Sequence, residues 1–196
     1  MWNSVRRSLP LLPLMIPMLF AQPPALQKPV VVVLVGPPSS GKSTQAGLLN
    51  RRFKLPVIAV EDLRKQAGQA ANDEALSRAL RAQLSKTNTS LGFVLDGYPA
   101  SRAQADYLAA MVRELNLPSP LIVQLNVPDE VVRQWAAQRK GPADAPANVE
   151  RLLKRYHDEM DLLRSYYPEG DIWTIDGTRP PVEVSATIRT LLADRK

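Results

Sequence analysis

The chain has 196 residues, 45% of them hydrophobic, which suits one α/β domain with a true core. Its formal net charge is +6, yet Lys and Arg are scattered, without a block of five and without an aromatic–basic platform, so nucleic acid is not an expected partner. The absence of cysteine excludes disulfides, thiolate metal sites and a cysteine nucleophile.

In chain order, the first expected element is a targeting segment. Arg6 and Arg7 precede an apolar stretch, Leu9 to Phe20, which ends at the small residue Ala21 before Gln22-Pro23-Pro24. That order resembles a secretory signal peptide over residues 1–21, followed by a linker at 22–28. Pro10, Pro13 and Pro17 break a helix there, and the stretch is too short to span a bilayer, so stable membrane insertion is not expected once it is removed. The expected location is exported or periplasmic, with the cytoplasm as the alternative if the segment is not a signal. A monomer is expected.

Residues 29–196 then alternate strand and helix. Five unbroken apolar runs predict buried parallel strands: Val30–Val35, Val57–Val60, Phe93–Asp96, Leu121–Asn126 and Ile172–Asp176. Between them the spacing predicts helices over Thr44–Phe53, Asp73–Leu84, Ser101–Leu115, Asp129–Arg139 and Asn148–Tyr167, with Val182–Leu192 closing the chain. Five such alternations predict a three-layer α/β sandwich that binds ligands at the carboxyl ends of its strands.

Residues 36–44 follow the first strand directly and read Gly-Pro-Pro-Ser-Ser-Gly-Lys-Ser-Thr. This is G-x-x-x-x-G-K-[S/T] at a strand-to-helix turn, the context in which the pattern has physical meaning. Backbone N–H groups of such a loop, and the positive end of the following helix, point at phosphates. Gly36, Ser39, Ser40, Gly41, Lys42, Ser43 and Thr44 are therefore candidate ATP-binding residues. Lys42 would reach the terminal phosphates and the Ser43 hydroxyl a Mg²⁺ ion. A second signature at residues 92–105 reads Gly-Phe-Val-Leu-Asp-Gly-Tyr-Pro-Ala-Ser-Arg-Ala-Gln-Ala. Its acid, Asp96, ends an apolar strand, the position that orients Mg²⁺.

Together these motifs resemble the adenylate kinase family of nucleoside monophosphate kinases, whose second signature runs G-F-[L/V]-L-D-G-[F/Y]-P-R-T-x-x-Q-A. The resemblance continues through Leu125-Asn126-Val127-Pro128-Asp129-Glu130, through Tyr156-His157 with Tyr166-Tyr167 ten residues on, and through Asp176-Gly177-Thr178. It implies a P-loop NTPase sandwich with a five-stranded parallel sheet ordered 2-3-1-4-5. The implied activity is Mg²⁺-dependent transfer of the ATP γ-phosphoryl to a nucleoside monophosphate, AMP foremost. Residue by residue it implies Arg64, Gly97 and Gln104 on the acceptor side, Arg139 and Arg151 with Lys42 at the transferring phosphoryl, and Trp135 stacked on the donor base.

Several positions depart from the pattern. Ala100 replaces the arginine that grips the acceptor phosphate, Ala59 replaces a threonine at the acceptor base, and Ser39 replaces a loop glycine. Arg151 precedes Tyr156 by five residues where the family has four. The acceptor-binding insert, about residues 59–90, is cut down, and the lid, about 140–150, lacks its own arginine and the acid that pairs with it; Lys140 is expected to supply part of that charge. His157 reads as structural, and Asp158, Glu159 and Asp161 as a solvated helix face. Ala59 and Ala100 leave open a kinase for another small phosphorylated acceptor, or a non-catalytic nucleotide-binding relative.

Overall fold

The computed structural model describes residue 26 and residues 28–68, 70–139 and 141–193. The expected signal peptide (1–21), most of the linker and Lys140 lie outside the described residues.

Five strands, β1 (Val30–Val35), β2 (Val57–Ala59), β3 (Gly92–Asp96), β4 (Leu121–Asn126) and β5 (Ile172–Asp176), form one parallel sheet in the order β2-β3-β1-β4-β5. β1 is central: Val30 to Leu34 pair with Gly92 to Asp96 on one side, and Val32 to Val35 with Leu121 to Gln124 on the other. All six of its side chains are buried, and their alternation divides the core. Val31, Val33 and Val35 pack toward α2 (Val60–Ala67), α3 (Asp73–Leu84), α4 (Arg102–Glu114) and α6 (Pro146–Tyr166). Val30, Val32 and Leu34 pack toward α1 (Lys42–Phe53) and α7 (Pro181–Ala193). A strand buried on both faces has no polar positions, which is why it reads as a solid apolar run. A third, smaller cluster joins α5 (Asp129–Arg139) to α6 through Val132, Ala136, Val149 and Leu153.

The chain leaves β2 sooner than expected. Val60 opens α2 instead of ending the strand, because β2 is an edge strand whose pairing with β3 stops at Ala59–Asp96. Glu61 and Asp62 then sit in the first helical turn, where the helix dipole favours negative charge. α3 and α4 begin at side-chain caps, Asn72 accepting from the Ala75 N–H and Ser101 from the Gln104 N–H. Gly92 enters β3 at φ 94°, where a Cβ would lie 1.8 Å from the Val30 carbonyl oxygen, so no other residue fits against β1 here. Among the described residues no helix is long and apolar enough to cross a membrane.

Candidate active site at the phosphate loop

The loop from Gly36 to Gly41 joins the carboxyl end of β1 to α1. A Cβ on Gly36 would come within 2.6 Å of the Ser40 hydroxyl and 2.9 Å of the Leu125 carbonyl, so the loop is closed against β4. Gly41 has φ 87°, and Ser39 has φ 67°, which costs a non-glycine residue about 1–2 kcal/mol. Lys42 Nζ donates to the carbonyls of Gly36 (2.8 Å) and Pro37 (3.0 Å). Burial holds its ammonium below the ordinary lysine range, while Asp96, Glu159 and Glu61 pull the other way. The Ser43 hydroxyl donates to Asp96 Oδ2 at 2.7 Å, joining the loop to the end of β3. Asp96 itself is 5% exposed.

A cleft of about 360 Å³ opens beside this loop, between Ser39–Gly41, Thr44 and Gln45, Trp135 on α5 and the turn from Gly177 to Pro181. Gln45 Nε2 donates to the Pro181 carbonyl, while Gln45 Oε1 and the Ser40 hydroxyl, on the wall of the same cleft, are buried without a partner. Gln45 and Arg179 escaped sequence reasoning; the Asp176-Gly177-Thr178 motif beside Arg179 was the available signal. Arg179 is exposed and lies 3.5 Å from Asp176 and 3.7 Å from Glu183.

Of the residues expected at the acceptor, Arg64 of α2 is half-buried and makes no hydrogen bond or ion pair among the described residues. Gly97 (φ 78°) follows Asp96 so closely beneath α2 that a Cβ would meet Val60 Cγ1 at 2.9 Å. Gln104 is 2% exposed and has both ends of its amide engaged. Its Oε1 accepts from the Ala100 N–H (2.8 Å) and its Nε2 donates to Asp73 Oδ1 (2.8 Å), while the Ser101 hydroxyl donates to the other Asp73 oxygen. This cluster ties the first turn of α3 to the first turn of α4.

The remaining expected cations are held elsewhere. Arg139 donates twice to Asp144 Oδ1, at 2.6 and 3.1 Å, and the guanidinium holds that carboxyl below the usual range. Asp144, in the expected lid, thus reaches back to Arg139, which precedes the lid, across a short turn (Pro142–Asp144) that no local pattern announces. Arg151 is exposed and donates to Asn148 within the lid-side turn of α6. The acidic cluster on α6 also needs correction. Asp158 is solvated and pairs with Lys154, but Glu159 is half-buried, with Oε1 shut off from solvent and unpartnered. Burial pushes its carboxyl up to about 7, against the pull of Arg155 and Lys42. His157 meets Asp129 at 3.0 Å, and Tyr156 accepts from Gln124 Nε2 at 2.7 Å, which seats α6 on β4.

A phosphate loop, its lysine and a strand-end acid at the carboxyl edge of a 2-3-1-4-5 parallel sheet define a P-loop nucleotide-binding protein. A family model described as an AAA domain matches residues 35–153. The chain is 32% identical over 183 residues to the adenylate kinase of Xanthomonas oryzae pv. oryzae (strain MAFF 311018), covering 82% of this chain and 98% of that protein. It is 31% identical over 172 residues to the adenylate kinase of Mycobacteroides abscessus, covering 79% and 94%. With the adenylate kinase of Brucella anthropi it shares 28% over 189 residues, 82% of this chain and 97% of that one. The chain belongs to the adenylate kinase family, the nucleoside monophosphate kinases among P-loop phosphotransferases.

Proposed function

We propose that the chain transfers the γ-phosphoryl of ATP to AMP, with Mg²⁺. The observation that carries this reading is the Ser43–Asp96 contact, which brings the hydroxyl of the phosphate loop and the strand-end carboxylate together beside Lys42. A hydroxyl and a carboxylate are hard oxygen donors, the set that suits Mg²⁺, and these two residues would hold it. Bound there, the ion would neutralise charge on the transferring phosphoryl.

The protein's own part is positioning and charge. Lys42 exchanges the Gly36 and Pro37 carbonyls for phosphate oxygens, and the incoming anion offsets the burial that now disfavours its charge. Ser40, Gln45 and Trp135 line the donor cleft. Arg64, which makes no hydrogen bond or ion pair among the described residues, receives the acceptor phosphate. An acceptor oxygen then attacks the γ-phosphorus as ADP leaves, so the two reactants need only be held in line. A coupled assay of the purified chain with ATP and a panel of monophosphates tests this. Turnover with AMP is expected, and Lys42→Ala should lose it while circular dichroism stays unchanged. Full turnover by Lys42→Ala would overturn the mechanism.

A second reading, a kinase for another small phosphorylated acceptor, is favoured by Gln104, whose amide is already engaged by Ala100 and Asp73. The same panel separates the two. Export is proposed as well, from the Arg6-Arg7, apolar and Ala21 order. It predicts a mature N-terminus near Gln22, and soluble cytoplasmic protein retaining residues 1–20 in mass spectra would refute it.

A further inference from the structure

Helix α6 presents different flanks to different neighbours. Its buried residues, Val149, Leu153, Tyr156, Met160 and Leu163, define one face. At about 100° per residue, His157 lies about 80° to one side of that face and Glu159 about 80° to the other. The His157 flank meets α5, through Asp129. Besides Arg155 on α6 itself, the charges acting on Glu159 are Lys42 of the phosphate loop, Asp96 at the end of β3 and Glu61 at the start of α2. The Glu159 flank therefore lies within reach of the charges of the phosphate loop, the end of β3 and the start of α2.

Arg155 lies one turn before Glu159 and about 40° from it around the helix axis, about 120° from the buried face on the same side. It is exposed and makes no hydrogen bond or ion pair among the described residues, yet its charge acts on Glu159. Arg151 lies about 160° from the buried face, on the back of the helix, and donates to Asn148. Lys42 is committed to the loop carbonyls, Arg139 to Asp144, and Arg179 on the cleft wall to Asp176 and Glu183, whereas Arg64 and Arg155 make no hydrogen bond or ion pair among the described residues. Glu159 mirrors this. Among the described residues it makes no hydrogen bond, and its Oε1 is closed to solvent, so it is a buried acceptor that lacks a donor.

We propose that Arg155 is the α6 cation that grips the phosphates, and that Glu159 is a positioning residue that takes the Arg155 guanidinium from behind as it turns into the cleft. A carboxylate accepting one edge of the planar guanidinium fixes its plane and leaves the other edge for a phosphate. The inference rests on the phosphotransferase reading for its rate test, and on phosphate binding alone for its second test.

Arg155→Ala should lower kcat about ten- to a hundredfold with AMP and ATP, and weaken ADP binding in calorimetry about tenfold, the effect of one charge-assisted contact. Arg155→Lys should recover ADP affinity more fully than kcat, because a point charge keeps attraction but not the bidentate plane. Glu159→Gln should lower kcat severalfold in the native background and less than twofold beside Arg155→Ala, a coupling that a merely structural glutamate would not show. Lys154→Ala, on the solvated face of the same helix, should change neither readout. ADP affinity and kcat within threefold of native in Arg155→Ala would overturn the proposal. So would a larger loss from Arg151→Ala, or an equal effect of Glu159→Gln in both backgrounds. If the native chain turns over no monophosphate, the kinase reading fails, and the ADP titration still decides the role of Arg155.

Discussion

Ala100 offers the sharpest perturbation of the acceptor site. It stands on the turn between Gly97 and the α4 cap Ser101, half-buried, with its N–H held by Gln104 Oε1 at 2.8 Å. That bond and the Ser101 cap fix the backbone, so Ala100→Arg adds a side chain without moving its anchor. A charge-assisted contact to the acceptor phosphate contributes about 1.5–3 kcal/mol. Ordering a long side chain subtracts up to about 1–2 kcal/mol. The net of about 1–2 kcal/mol corresponds to roughly five- to thirtyfold in kcat/KM for AMP. The coupled assay at saturating ATP, with AMP varied, reads this directly. The KM for ATP should move less than twofold, since Ala100 does not line the donor cleft. A fall in kcat/KM for AMP would refute a weakened phosphate grip and indicate an acceptor that the arginine obstructs. A gain shared equally by ATP would show that the new charge acts on the whole cleft instead of on the acceptor.

Gly92→Ala should destabilise the fold by more than about 3 kcal/mol in urea unfolding, because its Cβ would collide with the Val30 carbonyl and φ 94° disfavours any side chain; a stable variant would mean that β3 can re-register on β1. Glu159 predicts a pH dependence of stability. Its carboxyl titrates near 7 in the folded chain and near 4.5 when unfolded, so the folded state holds the extra proton between these values. Stability from this group is full below about 4.5 and declines as pH rises toward about 7. Glu159→Gln should flatten that decline and be the more stable form at pH 8, by about 1–3 kcal/mol; an unchanged slope would mean that water reaches the carboxylate.

The parts legible in the sequence are those whose physics is contiguous. Parallel strands buried on both faces are solid apolar runs, so β1 and β4 have the expected limits; β5 has them too, although it is an edge strand in which Ile175 alone is buried. The phosphate loop is legible for the same reason, since strand, turn and helix follow without a gap. α2 was not, because Val60 and Leu63 are its only buried positions and its first residue completes an apolar run with β2. Contacts across the fold were equally hidden. Asp73 and Gln104 stand 31 positions apart, and nothing local says that the amide will be spent on that carboxylate.

The α6 arginines show where the limit lies. The resemblance selects Arg151, yet its spacing to Tyr156 is five residues where the family has four, and one residue rotates a side chain by about 100°, so an offset of one changes which neighbour it meets. The phase of the helix was nonetheless written in the chain. Val149, Leu153, Tyr156, Met160 and Leu163 recur at spacings of three and four, and they place residue 151 behind and residues 155 and 159 on a flank. What that pattern lacks is the neighbour. Tyr156 is seated on Gln124 of β4, and with α6 held there Glu159 comes within reach of the charges on Lys42 and Asp96. Periodicity decides which residues share a face, and only the packing of that face decides which of them meet the substrate.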